Sequence, residues 1–216
     1  MKKIGLLFDL DGTLLDTLGD LQVSVNFALE QVGLLPRSLA EIRRFVGNGA
    51  RNLITQAVDG KTDVEEVLAT FQKHYAANCQ IKTAPYPGIL PVLAALQKEY
   101  PVAIVSNKPD VAVKSLCRDY FPGVFALGET KELPRKPAPD MVWKAMEILG
   151  VEKGIYIGDS EVDVITARNA GLPCISVLWG FRDREEIEEQ GGMHFCEEAE
   201  QLPEMIEKIA GVQDVQ

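Results

Sequence analysis

Near its start the chain reads Ile4-Gly5-Leu6-Leu7-Phe8-Asp9-Leu10-Asp11-Gly12-Thr13-Leu14, an apolar run followed at once by two aspartates. A continuous apolar run is typical of a strand that is buried on both faces, as in the parallel sheets of α/β proteins. In open sheets of that class, ligands bind beyond the carboxyl ends of the strands. The stretch therefore predicts a buried strand of a parallel sheet with a binding site at its end.

The two aspartates after this strand are candidates for metal and phosphate chemistry. Asp9 and Asp11 can both approach a Mg²⁺ ion, and one of them can attack a phosphorus atom while the other transfers protons. Gly12 and Thr13 allow a tight turn whose backbone N–H groups can meet phosphate oxygens. An Asx-type turn at a strand end is the alternative that an isolated pair of acids would favour.

Two later segments carry phosphate-binding groups or a cation at a strand end or a helix start. The triplet Ser106-Asn107-Lys108 follows the apolar run 102–105 and supplies a hydroxyl, an amide and an ammonium group. The segment Arg135–Asp140 sets the cation of Lys136 before a helix that is predicted to begin near Pro139. Taken alone, a K-P-x-P sequence would indicate only the start of a helix.

A second acid pair opens the helix that follows the predicted strand 154–157. Asp159 is the third metal carboxylate in this interpretation, and Asp163, one helical turn later, can orient the site from behind the metal ligands. Either acid could instead serve only to stabilise the N-terminus of that helix. A shared site explains all four clusters at once, whereas the alternatives explain each one separately.

In order, the clusters read D-x-D-G-T, S-N, K-P and G-D-x-x-x-D, and in this pattern the chain resembles the haloacid dehalogenase-like (HAD) superfamily of phosphotransferases. Within it, the chain is similar to the phosphoglycolate phosphatase-like hydrolases, which carry a small helical cap. The likeness covers nearly the whole chain and includes segments at 14–17, 46–51, 171–174 and 179–182. It implies an α/β fold, a doubly wound parallel sheet with a Rossmann-like HAD core and an inserted helical cap domain.

The resemblance also implies a Mg²⁺-dependent phosphatase that works in two steps. Asp9 attacks the phosphorus atom of a monoester to give an aspartyl-phosphate, while Asp11 protonates the leaving alkoxide and then activates water. Asp9, the main-chain carbonyl of Asp11, and Asp159 would hold the metal ion. Lys136 and Ser106 would hold the equatorial phosphate oxygens.

The predicted cap supplies candidates for the far end of the substrate. Closure of a helical bundle over the sheet would bring Asn48, Gly49 and Arg51 towards the non-reacting end, where glycine N–H groups and a cation suit a small carboxylate. The expected reaction is then hydrolysis of 2-phosphoglycolate to glycolate and phosphate. The segment could instead be a helix joint, with Arg51 a solvated residue of the first turn.

Three other functions are open from the sequence. A pyrophosphatase or a phosphosugar mutase would use the same core, although the cap lacks the basic sugar-binding loop expected of a mutase. A phospho-accepting receiver domain, which belongs to signalling rather than metabolism, would share the acid pocket and the lysine. That domain would need roughly half this length and no helical insertion after the first strand.

The composition limits the partners. The chain has 216 residues, 46% of them hydrophobic, which suits one packed core with an insertion. Its formal net charge of −10 argues against nucleic acid or an anionic membrane as a partner, so a phosphorylated metabolite needs a locally positive site. Four widely spaced cysteines, the absence of a secretory signal and the absence of a long apolar span predict a cytoplasmic protein with free thiols. The sequence leaves monomer and homodimer open.

The periodicity of apolar residues predicts two domains. Residues 1–16 and 85–216 alternate strands and helices and form the core, whereas 17–84 have a helical period and form the cap, with hinges near Thr17 and Pro85. Asp16 or Thr17 is expected to cap the first cap helix. Helices are predicted over 17–32, 39–45, 50–58, 64–79, 89–100, 110–120, 140–149, 160–170 and 203–209, and strands over 4–8, 102–105, 124–126, 154–157 and 174–178. Residues 183–189 are interpreted as a solvated helix face, and His194 as part of a short strand.

Overall fold

Eight strands form in the computed structural model, which describes residues 3–213. They are β1 (Ile4–Phe8), β2 (Leu15–Asp16), β3 (Ala84–Pro85), β4 (Val102–Pro109), β5 (Phe125–Glu129), β6 (Lys153–Gly158), β7 (Cys174–Val177) and β8 (His194–Cys196). Six of these strands make one parallel sheet in the order β5-β4-β1-β6-β7-β8. The chain proceeds from β1 to β4 on one side and later to β6 on the other, so a crevice opens beyond the carboxyl end of β1.

Ten helices cover the sheet and build the insertion in this described part of the chain. They are α1 (Leu18–Gln31), α2 (Leu39–Phe45), α3 (Gly49–Val58), α4 (Val64–Asn78), α5 (Ile89–Glu99), α6 (Asp110–Tyr120), α7 (Asp140–Leu149), α8 (Glu161–Ala170), α9 (Arg184–Glu188) and α10 (Leu202–Gln213). The predicted α/β architecture with an inserted group of helices is thereby confirmed. The last helix is longer than predicted, and the solvated face at 183–189 forms α9.

Apolar side chains of β1 alternate between the two faces of the sheet, as the period of a strand requires. Leu6 and Phe8 belong to a large apolar cluster that continues into the helical insertion. Leu7 lies in a second cluster on the opposite face, against Met141 and Val142 of α7. Burial of β1 on both faces fixes its end, and with it the start of the Asp9 segment.

We call the helices α1–α4 the cap. β2 and β3, through which the chain leaves and re-enters the core, pair antiparallel with each other. The buried carboxylate of Asp20 in α1 accepts hydrogen bonds from the backbone N–H groups of residues 81–83 and from the hydroxyl of Thr83. The two connections, each expected to be a hinge, therefore lie side by side as one stem.

The carboxyl end of β4 differs from the prediction. The strand continues past Val105 to Pro109, with a register shift between these two residues where it pairs with β5. Ser106, Asn107 and Lys108 consequently lie within the strand, and all three are buried. The irregular pairing explains why polar residues are accommodated at the end of an otherwise apolar strand.

The start of α1 is capped by Asp16, one of the two residues predicted for that role. Thr17 makes no side-chain hydrogen bond to the helix, and the carboxylate of Asp16 instead accepts the N–H of Leu18 at 3.1 Å. The Thr17 hydroxyl donates to Asp11 at 2.7 Å. Thr17, the other residue predicted to cap α1, therefore contacts the candidate site instead of the helix.

The four cysteines, Cys79, Cys117, Cys174 and Cys196, are free thiols, as expected. Among residues 3–213, no helix combines the length and the apolar character that a membrane crossing requires.

Candidate active site

Asp9 is the first residue beyond β1 and is 8% exposed. One of its carboxylate oxygens lies 3.0 Å from Nζ of Lys136 and accepts the N–H of Leu10 at 2.7 Å. Burial raises the pKa of Asp9 to about 7; Lys136 opposes this shift, while Asp163 and Asp11 add to it. A carboxyl group with this pKa needs a further cation to be fully ionised at neutral pH.

Asp159 follows β6, the strand next to β1, and meets Asp9 and Asp163 in one buried acidic cluster. Carboxylate oxygens of the three residues all lie within 4.8 Å of one another. Burial, together with Asp163 and Asp9, raises the pKa of Asp159 well above its usual range. Lys136 offsets only one of the three negative charges, so the buried carboxylates still repel one another unless a further cation joins them, and carboxylate oxygens are the ligands that Mg²⁺ prefers. The residues of this cluster therefore fit a divalent ion.

Two other contacts orient Asp159. Its oxygens accept the Thr13 hydroxyl at 3.0 Å and the backbone N–H of Phe181 at 2.8 Å. Gly12 has a positive φ of 84°, and a Cβ atom there or at Gly180 would collide with the Asp159 side chain. Glycine at both positions allows the chain to pass close to the carboxylate.

Lys136 is buried between the two acidic residues Asp9 and Asp163. Its Nζ lies 2.8 Å from Asp163 and 3.0 Å from the hydroxyl of Tyr156. Burial acts to lower the pKa of Lys136, but Asp163 and Asp9 raise it well above the usual value. Asn107 holds the backbone of Lys136 by accepting its N–H at 2.8 Å and donating to its carbonyl at 2.9 Å. Lys136 is therefore a fixed cation beside Asp9.

Asp11 is held apart from the acidic cluster by other partners. Nζ of Lys108 donates to its two carboxylate oxygens at 2.8 and 2.9 Å, and the Thr17 hydroxyl donates as well. Burial acts to lower the pKa of Lys108, but Asp11 and Tyr75 raise it, so the lysine keeps its charge. The Asp11 side chain is thus bound by a lysine of the core and by a threonine at the start of the cap.

These residues form one end of a cavity between the sheet and the cap. The cavity measures about 610 Å³, including its open mouth. The predicted site residues that line it are Asp9, Asp11, Gly49, Ser106, Asn107, Lys108 and Asp159. Four others, Gly12, Thr13, Lys136 and Asp163, lie behind this wall and touch Asp9 or Asp159.

Asn48 and Arg51 are the predicted site residues that the structure does not bring to the cavity wall. Asn48 precedes α3 without capping it through its side chain. Arg51 forms an ion pair with Glu65 of α4, and its side chain is 58% exposed. The cation expected to face the substrate therefore faces solvent and the neighbouring helix.

Arg182 is a buried site residue that sequence reasoning did not single out. It donates to Glu161 at 2.9 Å and to the carbonyls of Arg43 and Val46 in the cap at 3.0 and 2.6 Å. In return, Arg43 donates to the carbonyl of Phe181 at 2.8 Å. The partners are mostly backbone carbonyls, so no charge pattern in the sequence indicates these contacts.

Comparison with known proteins points to one family. A family model for haloacid dehalogenase-like hydrolases matches residues 6–177. The phosphoglycolate phosphatase of Cereibacter sphaeroides is 36% identical over 190 residues, which are 82% of this chain and 86% of that protein. The phosphoglycolate phosphatase of Aquifex aeolicus is 34% identical over 187 residues, 82% of this chain and 85% of that protein.

Solved structures give the same result for the fold. The crystal structure of a phosphoglycolate phosphatase candidate from Lactobacillus delbrueckii subsp. bulgaricus matches with a TM-score of 0.88 at 40% identity, and the match covers 95% of this chain and 99% of that one. Matches of this extent identify one family. The aspartates, the lysine and the serine at the ends of the expected strands are the residues that this family pattern requires. The chain belongs to the haloacid dehalogenase-like hydrolases and is a phosphoric monoester hydrolase similar to the phosphoglycolate phosphatases.

Proposed function

We propose that the protein is a Mg²⁺-dependent phosphatase that hydrolyses 2-phosphoglycolate to glycolate and phosphate through an aspartyl-phosphate. The observation that carries the proposal is the position of Asp9, a carboxylate beyond the central strand, 3.0 Å from a buried lysine and within an acidic cluster. The names of the relatives support the choice of substrate.

Asp9 is the nucleophile of the proposed reaction. Its oxygen forms a bond to phosphorus while the bond from phosphorus to the glycolate oxygen breaks. Lys136 remains charged beside Asp9 and offsets the negative charge that is shared by the carboxylate and the phosphoryl oxygens. A bound Mg²⁺ would be held by Asp9, Asp159 and the main-chain carbonyl of Asp11, and it would supply further positive charge to the phosphoryl group.

Asp11 is the proton carrier. With the ester bound, it first takes up a proton from solvent and gives that proton to the leaving glycolate oxygen, and in the second step the carboxylate takes a proton from the water that attacks the aspartyl-phosphate. Its carboxylate lines the cavity, and Lys108 and Thr17 fix its orientation. Because Thr17 immediately precedes α1, the position of Asp11 depends on the position of the cap.

The apolar lining on the cap side of the cavity favours a small ester over pyrophosphate as the substrate. Its walls include Leu21, Val46, Leu53 and Phe71. A second phosphate group placed there would lose its hydration without gaining a cation, which is costly for a group with more than one charge. A short ester with at most a single carboxylate at its far end suits these walls better.

The test is a comparison of kcat/KM for 2-phosphoglycolate, pyrophosphate and glucose 6-phosphate, with Mg²⁺ and again after treatment with EDTA. We expect the highest value for 2-phosphoglycolate and loss of all activity in EDTA. A preference for pyrophosphate or the hexose phosphate would reject the substrate. Full activity in EDTA would reject the metal requirement.

A further inference from the structure

The cap wall of the cavity carries a polar side chain that the proposed mechanism does not use. The cap residues on this wall are Leu21, Val46, Gly47, Gly49, Ala50, Leu53, Phe71 and Tyr75, of which Tyr75 alone has a polar side-chain group. Tyr75 is 4% exposed, and its hydroxyl makes no hydrogen bond of normal geometry within the described residues, although the Lys108 ammonium lies near enough to interact with it. A buried hydroxyl normally has a partner, because an unpaired one costs free energy. A hydroxyl left unpaired on a cavity wall indicates that its partner is a ligand.

The surroundings of Tyr75 make its hydroxyl a hydrogen-bond donor. Burial raises the pKa of Tyr75, so the phenol keeps its proton at neutral pH. Nζ of Lys108 lies 4.7 Å from the centroid of the ring. Since the Lys108 charge is balanced by Asp11, this corner of the cavity offers a neutral donor rather than a free cation.

The start of α3 lies against the same cavity. Gly49 and Ala50, its first two residues, line the wall, and no side chain caps the helix. The N-terminus of a helix carries partial positive charge and unpaired N–H groups, which favour an anion. Together with the Tyr75 hydroxyl, this helix end suits an acceptor of single negative charge enclosed by apolar walls.

The arginines near the cavity are engaged elsewhere. Arg51 pairs with Glu65 outside the wall. Arg182 lines the cavity, but its guanidinium donates to Glu161 and to backbone carbonyls of the cap. Neither side chain offers the substrate a donor comparable with the unpaired hydroxyl of Tyr75.

We infer that Tyr75 is a substrate-binding residue whose hydroxyl donates a hydrogen bond to a carboxylate at the non-reacting end of the phosphate ester. The inference rests on the proposed function, because it names the group that recognises the substrate of the same site. Recognition of the ester then involves helix α4 as well as the start of α3.

The test uses Tyr75→Phe and two esters of nearly equal size. 2-Phosphoglycolate carries a carboxylate where ethyl phosphate carries a methyl group. We expect kcat/KM for 2-phosphoglycolate to fall by about tenfold to a hundredfold, the effect of losing one hydrogen bond to a charged group. The value for ethyl phosphate should stay unchanged, and Tm should stay equal or rise, since the deleted hydroxyl has no partner in the free protein.

Tyr120→Phe is the matched control. Its hydroxyl donates to the carbonyl of Thr83 at 2.9 Å, and Tyr120 does not line the cavity. This variant should lower Tm slightly and leave the ratio of the two kcat/KM values as in the wild type.

Three results would overturn the inference. Tyr75→Phe could leave the ratio unchanged, or the wild type could hydrolyse ethyl phosphate as well as 2-phosphoglycolate. In both cases the phosphatase stands and recognition by Tyr75 is wrong. If the wild type hydrolyses neither ester with Mg²⁺, the proposed function itself fails, and the inference that rests on it is withdrawn.

Discussion

The two ends of the cavity differ in how their polar groups are satisfied. At the core end, both lysines are paired with aspartates: Lys136 lies between Asp9 and Asp163, and Lys108 binds Asp11. At the cap end, the walls are apolar and the Tyr75 hydroxyl is unpaired. In the proposed function, the core end binds the phosphoryl group that all esters share, and the cap end contacts the part in which the esters differ. Substitutions at the core end should affect every substrate, whereas substitutions at the cap end should change the preference among them.

The largest effect is expected for Asp9→Asn. An amide cannot form the acyl phosphate and is a weaker metal ligand, so kcat should fall by about 10⁴-fold or more on every ester. Activity is measured by phosphate release with Mg²⁺ on 2-phosphoglycolate and ethyl phosphate. Asp16→Asn, at an exposed aspartate of the same segment, is the control and should keep wild-type activity. Turnover by Asp9→Asn near the wild-type rate would disprove the covalent mechanism.

The next largest effect is expected for Lys136→Met, on stability as well as activity. The variant leaves Asp9 and Asp163 buried without their shared cation, which typically costs about 3–5 kcal/mol of unfolding free energy. Urea unfolding at pH 8 without metal measures it. Lys144→Met removes an exposed pair with Glu147, which is worth at most about 1 kcal/mol.

Adding Asp163→Asn to Lys136→Met should recover part of the lost stability, because one uncompensated charge is removed. Equal stability of Lys136→Met and Lys144→Met would show that the core end does not depend on this lysine.

A moderate effect is expected from pH on the protein without metal. Aspartate in an unfolded chain titrates near 3.9, whereas Asp9 in the fold has a pKa of about 7. Between these values the folded protein holds a proton that the unfolded chain has released. The stability contributed by that proton is fully present below about pH 4 and is lost as pH rises through about 7, by at most about 1.4 kcal/mol per pH unit.

Thermal unfolding in EDTA from pH 5 to pH 8 measures this dependence. Asp9→Asn should show a flatter profile than the wild type, because an amide does not titrate. Mg²⁺ should raise the Tm of the wild type more at pH 8 than at pH 5, since it binds the ionised carboxylates. Parallel profiles for the wild type and Asp9→Asn would mean that Asp9 titrates normally.

The smallest effect is expected for Arg51→Ala at the cap end. Its exposed pair with Glu65 lies off the cavity wall, so kcat/KM for 2-phosphoglycolate should change by less than about threefold. Tyr75→Phe, measured beside it, should have a much larger effect on the same ester. A loss of about tenfold for Arg51→Ala, absent with ethyl phosphate, would show that the arginine reaches the carboxylate when substrate binds.

The core end was largely predictable from the sequence because the end of a buried strand can be recognised as the end of an apolar run. Apolar runs locate β1, β4 and β6, and parallel neighbours end at the same edge of the sheet. Phe8 lies beside Ile157 in adjacent strands, so the aspartates that follow them meet. Segments 150 residues apart could thus be joined without knowledge of the tertiary structure.

The cap end was less predictable because a helical period gives the face of a helix but not its rotation over the core. Arg51 follows two glycines, which suggested an anion site, yet packing of Leu53 and Ile54 turns it towards α4. Tyr75 follows Phe71 by four residues, a spacing typical of core packing, and the two rings do stack. Only the unpaired hydroxyl, which the sequence cannot show, separates Tyr75 from an ordinary core residue.

The stem formed by β2 and β3 has a consequence for how such a protein can diversify. Strands that pair antiparallel are close enough to be joined by a turn of about two residues, so the whole of α1–α4 is a side branch whose two ends meet at one point of the core. Asp20 of α1 stabilises this point by accepting hydrogen bonds from the backbone N–H groups of residues 81 and 83. A different insertion could be attached there without breaking the sheet, and Asp9, Lys136 and Asp159, which the core holds, would keep their places while the cap residues changed.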